Sequence, residues 1–227
     1  MIREFFTSRV GGVSSGSFTD FNLALHVGDE IDAVLENREI LATALGLTSD
    51  RVFYMDQVHG NEIAMVERSR PASQPPKVDA LITQESDTAL VVLVADCIPL
   101  LFRSPSAIAA VHVGRAGLVA GIVEAAIAKL ENLGASRSEI SAQIGPSICG
   151  SCYEVSPEIY LDVISKYPAA ATTLAKHTLN LPSAVISILD SYEIEYSREN
   201  SCTAHGENLF SYRRDGVTGR QAGVIAW

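Results

Sequence analysis

Three residues of this chain have side chains that suit one chemical task. His59 stands in Asp56-Gln57-Val58-His59-Gly60, a turn between two strand-like runs. Cys97 follows the apolar run 89–95, and His112 falls at the end of the run 107–113, just before Gly114. Neighbouring strand ends can converge on one edge of a sheet, which would bring two imidazoles and a thiol together. A His2Cys set suits zinc and leaves its fourth position open, the layout of a catalytic rather than a structural site. The open position lets a metal polarise a substrate oxygen or acidify a bound water. The same residues also read as separate positions, a packed thiol and hydrogen-bonded turn histidines. No short ligand spacing such as HExxH ties them together.

Two further features carry chemistry. Cys149 and Cys152 form a C-x-x-C within residues 145–155. A zinc ribbon needs a second such pair, and the sequence reads as having none. A thioredoxin-like motif would open a helix after the first strand, whereas this one comes late. What remains is a tight, glycine-rich turn that lines a site. Arginine also stands in glycine-rich text near both ends, in Thr7-Ser8-Arg9-Val10-Gly11-Gly12-Val13-Ser14 and in residues 210–220. Glycine admits close backbone approach, and arginine offers a bidentate fork to phosphate or carboxylate. Neither segment is a P-loop, because the lysine is missing. Both read equally well as solvated turns with local Asp–Arg pairing.

The elements that must position these residues are short. Strand-like runs cover 52–55, 62–66, 79–83, 89–95, 107–113 and 140–144. The runs 89–95 and 107–113 are apolar apart from His112, which predicts strands buried on both faces. One helical stripe extends over 117–134 and stops at Gly134. Another spans 32–45, with Gly46 after it. Ser156-Pro157-Glu158 reads as the start of a third helix, and Pro182 opens a fourth that runs through Tyr192. Residues 70–77, with three prolines, read as a loop. Strands interspersed with helices, without repeats or low-complexity text, predict one α/β or α+β domain over 1–227.

Composition narrows the function. Seventeen basic against 27 acidic residues give a net charge of −10. That balance argues against a nucleic-acid surface, which needs a basic stripe. Hydrophobic residues at 47% are too many for a disordered chain. The longest stretch free of Asp, Glu, Lys and Arg, residues 140–153, is shorter than the ~20 residues of a spanning helix. No basic-apolar-small leader is evident, so the expected compartment is the cytoplasm. In that setting the four cysteines are not expected to form a disulfide framework. Of the basic residues 13 are Arg, and Arg9, Arg38, Arg115, Arg213, Arg214 and Arg220 fall in or beside the motifs above. Forked donors inside an acidic shell suit one small phosphorylated ligand.

Taken in order, the motifs resemble a known family. They are Thr7–Ser14, Asn22-Leu23-Ala24-Leu25-His26-Val27-Gly28-Asp29, Asn37-Arg38, Gln57-Val58-His59-Gly60 and Asp79-Ala80-Leu81-Ile82-Thr83. Ala95-Asp96-Cys97, His112-Val113-Gly114, Ile144-Gly145-Pro146, Tyr153-Glu154-Val155 and residues 211–220 complete the set. The chain resembles the multicopper polyphenol oxidase (laccase-domain) family. Its members are understood as zinc-dependent purine nucleoside phosphorylases and include the bacterial peptidoglycan editing factor. The resemblance implies a layered α/β sandwich with mixed sheets and flanking helices. It implies Zn2+ on His59, Cys97 and His112. It further implies phosphorolysis of adenosine, inosine and guanosine to base and ribose 1-phosphate, with methylthioadenosine phosphorolysis and adenosine deamination beside it. The partners are then a purine nucleoside and phosphate, with neither nucleic acid nor membrane. Five histidines cannot supply a multicopper cluster, so copper is expected less than zinc.

One departure stands out. The family reads His-Ala-Gly-Trp-Arg-Gly, whereas this chain has His112-Val113-Gly114-Arg115-Ala116-Gly117, without the tryptophan. Arg9, Arg38 and Arg115 are the candidates for phosphate. Among acids, Asp96 adjoins Cys97 but would point to the opposite face of a strand. It therefore reads as orienting a ligand histidine rather than as the proton-shuttling acid. Asp79 is an equal candidate. Three rival classes stay open: a metal-free hydrolase with Cys97 as nucleophile, a peptidoglycan-editing accessory factor that acts by binding, and a copper phenol oxidase.

Overall fold

The computed structural model describes residues 2–173 and 176–227. In chain order the strands are β1 (Arg3–Phe6), β2 (Val52–Phe53), β3 (Ile63–Met65), β4 (Ala80–Thr83), β5 (Ala89–Val94), β6 (Ile98–Arg103), β7 (Ile108–Val113), β8 (Ser141–Ile144), β9 (Glu195–Arg198) and β10 (Gln221–Ala226). The helices are α1 (Ile31–Leu45), α2 (Arg115–Ala120), α3 (Ile122–Asn132), α4 (Pro157–Lys166), α5 (Leu181–Ser191) and α6 (Tyr212–Asp215). Four strands form one sheet in the order β1-β10-β5-β2, and six form another in the order β3-β4-β7-β6-β8-β9. Both sheets are mixed, since β2–β5, β3–β4 and β8–β9 pair in parallel among antiparallel neighbours.

Side-chain alternation explains the layering. On one face of β5, Ala89, Val91 and Leu93 share a core with Leu41, Ala42 and Leu45 of α1. On its other face, Leu90, Val92 and Val94 pack with Leu101, Ile108 and Ala110 of the second sheet. β7 repeats the pattern: Ala109, Val111 and Val113 face a third core with Ile122, Val123 and Ala126 of α3 and with Val185 and Leu189 of α5. The molecule is therefore a helix–sheet–sheet–helix sandwich, and the two runs that read as apolar on both faces are central strands of its two sheets.

Local signals place most helix ends. The Ser156 hydroxyl accepts from the Ile159 amide ahead of Pro157, and the Asn180 side chain accepts from the Ser183 amide ahead of Pro182. α1 stops at Gly46, whose φ is +68°. The single helix expected over 117–134 is instead two, α2 and α3, because Gly121 adopts φ +86° between them. Among the described residues no helix is long and apolar enough to cross a membrane.

Among the described residues the chain crosses between the sheets four times. The links are residues 54–62 (β2 to β3), 84–88 (β4 to β5), 95–97 (β5 to β6) and 199–220 (β9 to β10). Because β5 begins after the second link and ends at the third, that second link lies at the opposite end of β5 from the third.

Candidate metal centre and its cavity

Two of these crossings and one strand end bring the His59, Cys97 and His112 side chains together. His59 sits in the first link with φ +61°, Cys97 closes the third, and His112 lies on β7 opposite Pro99. Their donor atoms all lie within 4.8 Å of one another, in a set that could hold a metal ion. The two imidazole rings meet edge to face at 4.8 Å. His112 is buried, Cys97 half-buried and His59 exposed, so the set opens in one direction. Gly114 leaves room for it. A Cβ there would stand 2.9 Å from the His59 ring and 3.3 Å from Cys97 Sγ.

Asp79 organises two of the three donors. Its carboxylate has no exposed surface. Oδ1 lies 2.7 Å from His112 Nδ1 and accepts from the His59 amide at 2.9 Å. Oδ2 accepts from the Gly60 amide at 2.6 Å and the Val58 amide at 3.3 Å. With Nδ1 so engaged, His112 turns Nε2 to the cluster, the usual carboxylate–histidine–metal arrangement. Burial opposes charge on Asp79. The His112 ring and the Gly60 and His59 amides outweigh it and hold the carboxyl below its ordinary range.

Burial also opposes charge on Cys97 and His112, yet each is the other's counter-ion. The His112 charge and hydrogen bonds from both histidines hold the Cys97 thiol well below its ordinary value. The Cys97 thiolate and Asp79 raise His112 well above its own. A cysteine already disposed to be a thiolate is the form a metal requires, and binding would displace the imidazolium proton. The residues present thus fit a metal on donor chemistry and orientation.

The centre opens on a cavity of about 430 Å³, within the ~300–1,000 Å³ range of small-molecule sites. Besides the three donors, its wall includes His26, Gln57, Asp96, Ile148, Tyr153, Tyr212, Arg213 and Arg220. Gln57 is held by bonds in both directions to the Leu93 backbone, at 2.8 and 2.9 Å. Arg213 stacks over Tyr153 at 5.1 Å. Among the described residues neither Arg213 nor Arg220 forms an ion pair, though Arg213 donates to the Glu154 carbonyl at 2.8 Å and Arg220 to the Thr218 and Gly219 carbonyls at 2.9 and 3.0 Å. Burial, and then Arg220, lowers the His26 pKa, which keeps that ring neutral near neutral pH.

The acids and arginines expected from sequence are placed differently from one another. Asp96 does not orient a ligand histidine. It lies beyond β5 with φ +107°, so strand alternation does not apply to it. Its carboxylate accepts from Thr203 Oγ1 at 2.6 Å, Ser211 Oγ at 2.7 Å and the Arg213 amide at 2.7 Å. It ties the last link to the centre, and Asp79 has the orienting role. Arg9 donates to the Thr19 carbonyl and stacks on Phe210, away from the cavity wall. Arg38 is packed on the Tyr54 ring at 3.7 Å and donates to the Leu23 carbonyl. Arg115 opens α2 outside the cavity wall; burial raises the Tyr153 pKa and the Arg115 charge partly offsets it. Arg213 and Arg220 supply the wall instead. Both lie in the C-terminal glycine–arginine text, and nothing in its spacing singles them out from Arg214, which pairs with Asp215.

A helix–sheet–sheet–helix sandwich with a His2Cys centre on an arginine- and tyrosine-lined cavity defines the class. The chain belongs to the family described as multi-copper polyphenol oxidoreductase laccase, whose family model matches residues 3–227. A protein named purine nucleoside phosphorylase from Corynebacterium glutamicum is 42% identical over 99% of this chain and 94% of its own length. Another of that name from Streptomyces coelicolor is 41% identical, over 97% and 93%. The crystal structure of the hypothetical protein YfiH of Bacillus licheniformis superposes with a TM-score of 0.93 at 28% identity, covering 99% of this chain and 92% of that one. YlmD from Geobacillus stearothermophilus does so with a TM-score of 0.90 at 29% identity, covering 99% and 91%.

Proposed function

We propose that this protein is a zinc-dependent purine nucleoside phosphorylase that takes adenosine, inosine or guanosine with phosphate to free base and ribose 1-phosphate. One observation carries the reading: the His2Cys centre and two guanidiniums without an acidic partner among the described residues face one nucleoside-sized cavity, in a chain 42% identical to a protein of that name. Arg213 and Arg220 bind the phosphate, whose oxygen attacks the sugar C1′ as the C–N bond breaks, and the leaving base takes up the proton that the hydrogen phosphate gives up. His26, in the cavity wall, offers a ring nitrogen to the ligand. Tyr153 and Tyr212 offer ring faces to the base, a role the absent tryptophan does not fill. Arg115 positions Tyr153. Asp79 keeps His112 and the His59 turn in place. His59, Cys97 and His112 would hold the zinc, which would supply Lewis acidity when bound. Methylthioadenosine phosphorolysis and adenosine deamination belong to the same cavity, and the setting is cytoplasmic.

The test is phosphate-dependent release of base from the three nucleosides, with zinc analysis of the same preparation. Cys97→Ala is expected to lose about 100-fold or more, as loss of several kcal/mol of Lewis-acid stabilisation requires. Wild-type protein that releases no base when phosphate is added would overturn the reading. Ammonia release from adenosine tests the deaminase activity separately.

The aligned Cys97, His112 and Asp79 favour a second reading, a metal-free thiol hydrolase in which they act as nucleophile, base and orienting acid. His59→Ala separates the two. It disables the zinc enzyme and leaves a thiol hydrolase active.

A further inference from the structure

A second cluster of donors lies apart from the His2Cys set. We propose that Cys149, Cys152, Cys202 and His205 form a structural zinc site that clamps the C-terminal link onto the turn after β8. Their four donor atoms all lie within 4.8 Å of one another. Cys152 Sγ and His205 Nε2 stand 3.0 Å apart. Tetrahedral zinc with bonds of about 2.0–2.3 Å requires donor separations of roughly 3.5–3.8 Å, so small side-chain movements close the set.

The backbone argues for the site independently of those distances. Cys149-x-x-Cys152 and Cys202-x-x-His205 fold as the same turn twice. In the first, the amides of Cys152 and Tyr153 donate to the Cys149 carbonyl, at 3.0 and 3.2 Å. In the second, the amides of His205 and Gly206 donate to the Cys202 carbonyl, at 3.2 and 2.8 Å. Two such knuckles facing each other are the frame of a zinc ribbon, with histidine for the fourth cysteine. They are held in register by a parallel bridge between Ser147 and Cys202. The Cys149 amide points at Cys202 Sγ, 3.3 Å away, a donor that steadies a ligating thiolate.

Three thiolates and one imidazole select zinc over hard cations, and four protein ligands leave no open position. The site is therefore structural. It adjoins the cavity through Thr203, whose hydroxyl binds the Asp96 carboxylate that also fixes the Arg213 amide. The clamp thereby sets one wall of the cavity without touching substrate.

The test counts metal per chain in protein grown with zinc and purified under reducing conditions without chelator. Wild type should carry two zinc ions and a His59→Ala/His112→Ala variant one. Adding Cys152→Ser and Cys202→Ser to that variant should remove the last ion. If those serines prevent folding, His205 decides: His205→Cys in the His59→Ala/His112→Ala background should keep the ion and His205→Ala should lose it. Cobalt loaded into the His59→Ala/His112→Ala protein should give strong near-ultraviolet thiolate charge transfer, as three sulfur ligands require. A metal-free His59→Ala/His112→Ala protein that is folded would overturn the proposal. So would a mass two hydrogens light, marking a disulfide among these cysteines, or retention of the ion by His205→Ala.

Discussion

Asp79 shows how much of the centre rests on a residue that is not itself one of the three donors. Both of its oxygens accept from donors: His112 and the His59 amide on one, the Gly60 and Val58 amides on the other. Asp79→Asn would turn an N–H2 group toward one of those donor sets, whichever way the amide is flipped. We expect its metal affinity to fall about 10–100-fold in a chelator competition, with the fold retained. Unchanged affinity would remove Asp79 from the orienting role. The three donors are legible only through the order of their motifs; their residue types and positions alone favour a packed thiol and turn histidines. Asp79 and Asp96 could not be told apart, since the argument from strand alternation fails at φ +107°. Cys202 and His205 are less legible for a simpler reason. The second pair of a zinc ribbon reads as two cysteines, whereas this turn pairs one cysteine with a histidine 53 residues along from Cys152.

At the scale of elements, capping chemistry proved more legible than continuity. Ser156-Pro157 and Pro182 marked helix starts because their side chains and rings act locally. The stripe over 117–134 hid a break, since apolar periodicity says nothing of the backbone hand at Gly121. A Cβ at Gly121 would meet nothing closer than 3.7 Å, so the cost of Gly121→Ala is conformational. We expect a loss of about 1–2 kcal/mol in denaturant unfolding, with an unaltered midpoint excluding the left-handed assignment. Four strands escaped sequence reading. β6 contains Pro99, and β10 contains Gly223, where a Cβ would come 2.9 Å from Pro99. Both residues read as breakers. β1 and β9 are four residues each and partly exposed, too short and polar to show alternation.

For the molecule as a whole, the centre lies at the seam between the sheets. His59, Cys97 and the arginines all sit on links that pass from one sheet to the other, so the site exists only when the sheets are docked. Ligand affinity then adds to the stability of the entire unit. Phosphate at 100 times its Kd should contribute about 2.7 kcal/mol and raise a single thermal transition by about 5–10 °C, read by calorimetry. Two transitions, with only one moved by phosphate, would show that the sheets unfold apart. The net charge of −10 argues against a nucleic-acid surface, yet it conceals that Arg213 and Arg220 are concentrated in one hollow. One crossing stands outside this arrangement. The turn at residues 84–88 sits at the far end of β5, with Asp87 pointing outward at 82% exposure. It offers an engineering handle: a dye, an affinity tag or a surface tether attached there would leave the chemistry at the opposite rim facing solution.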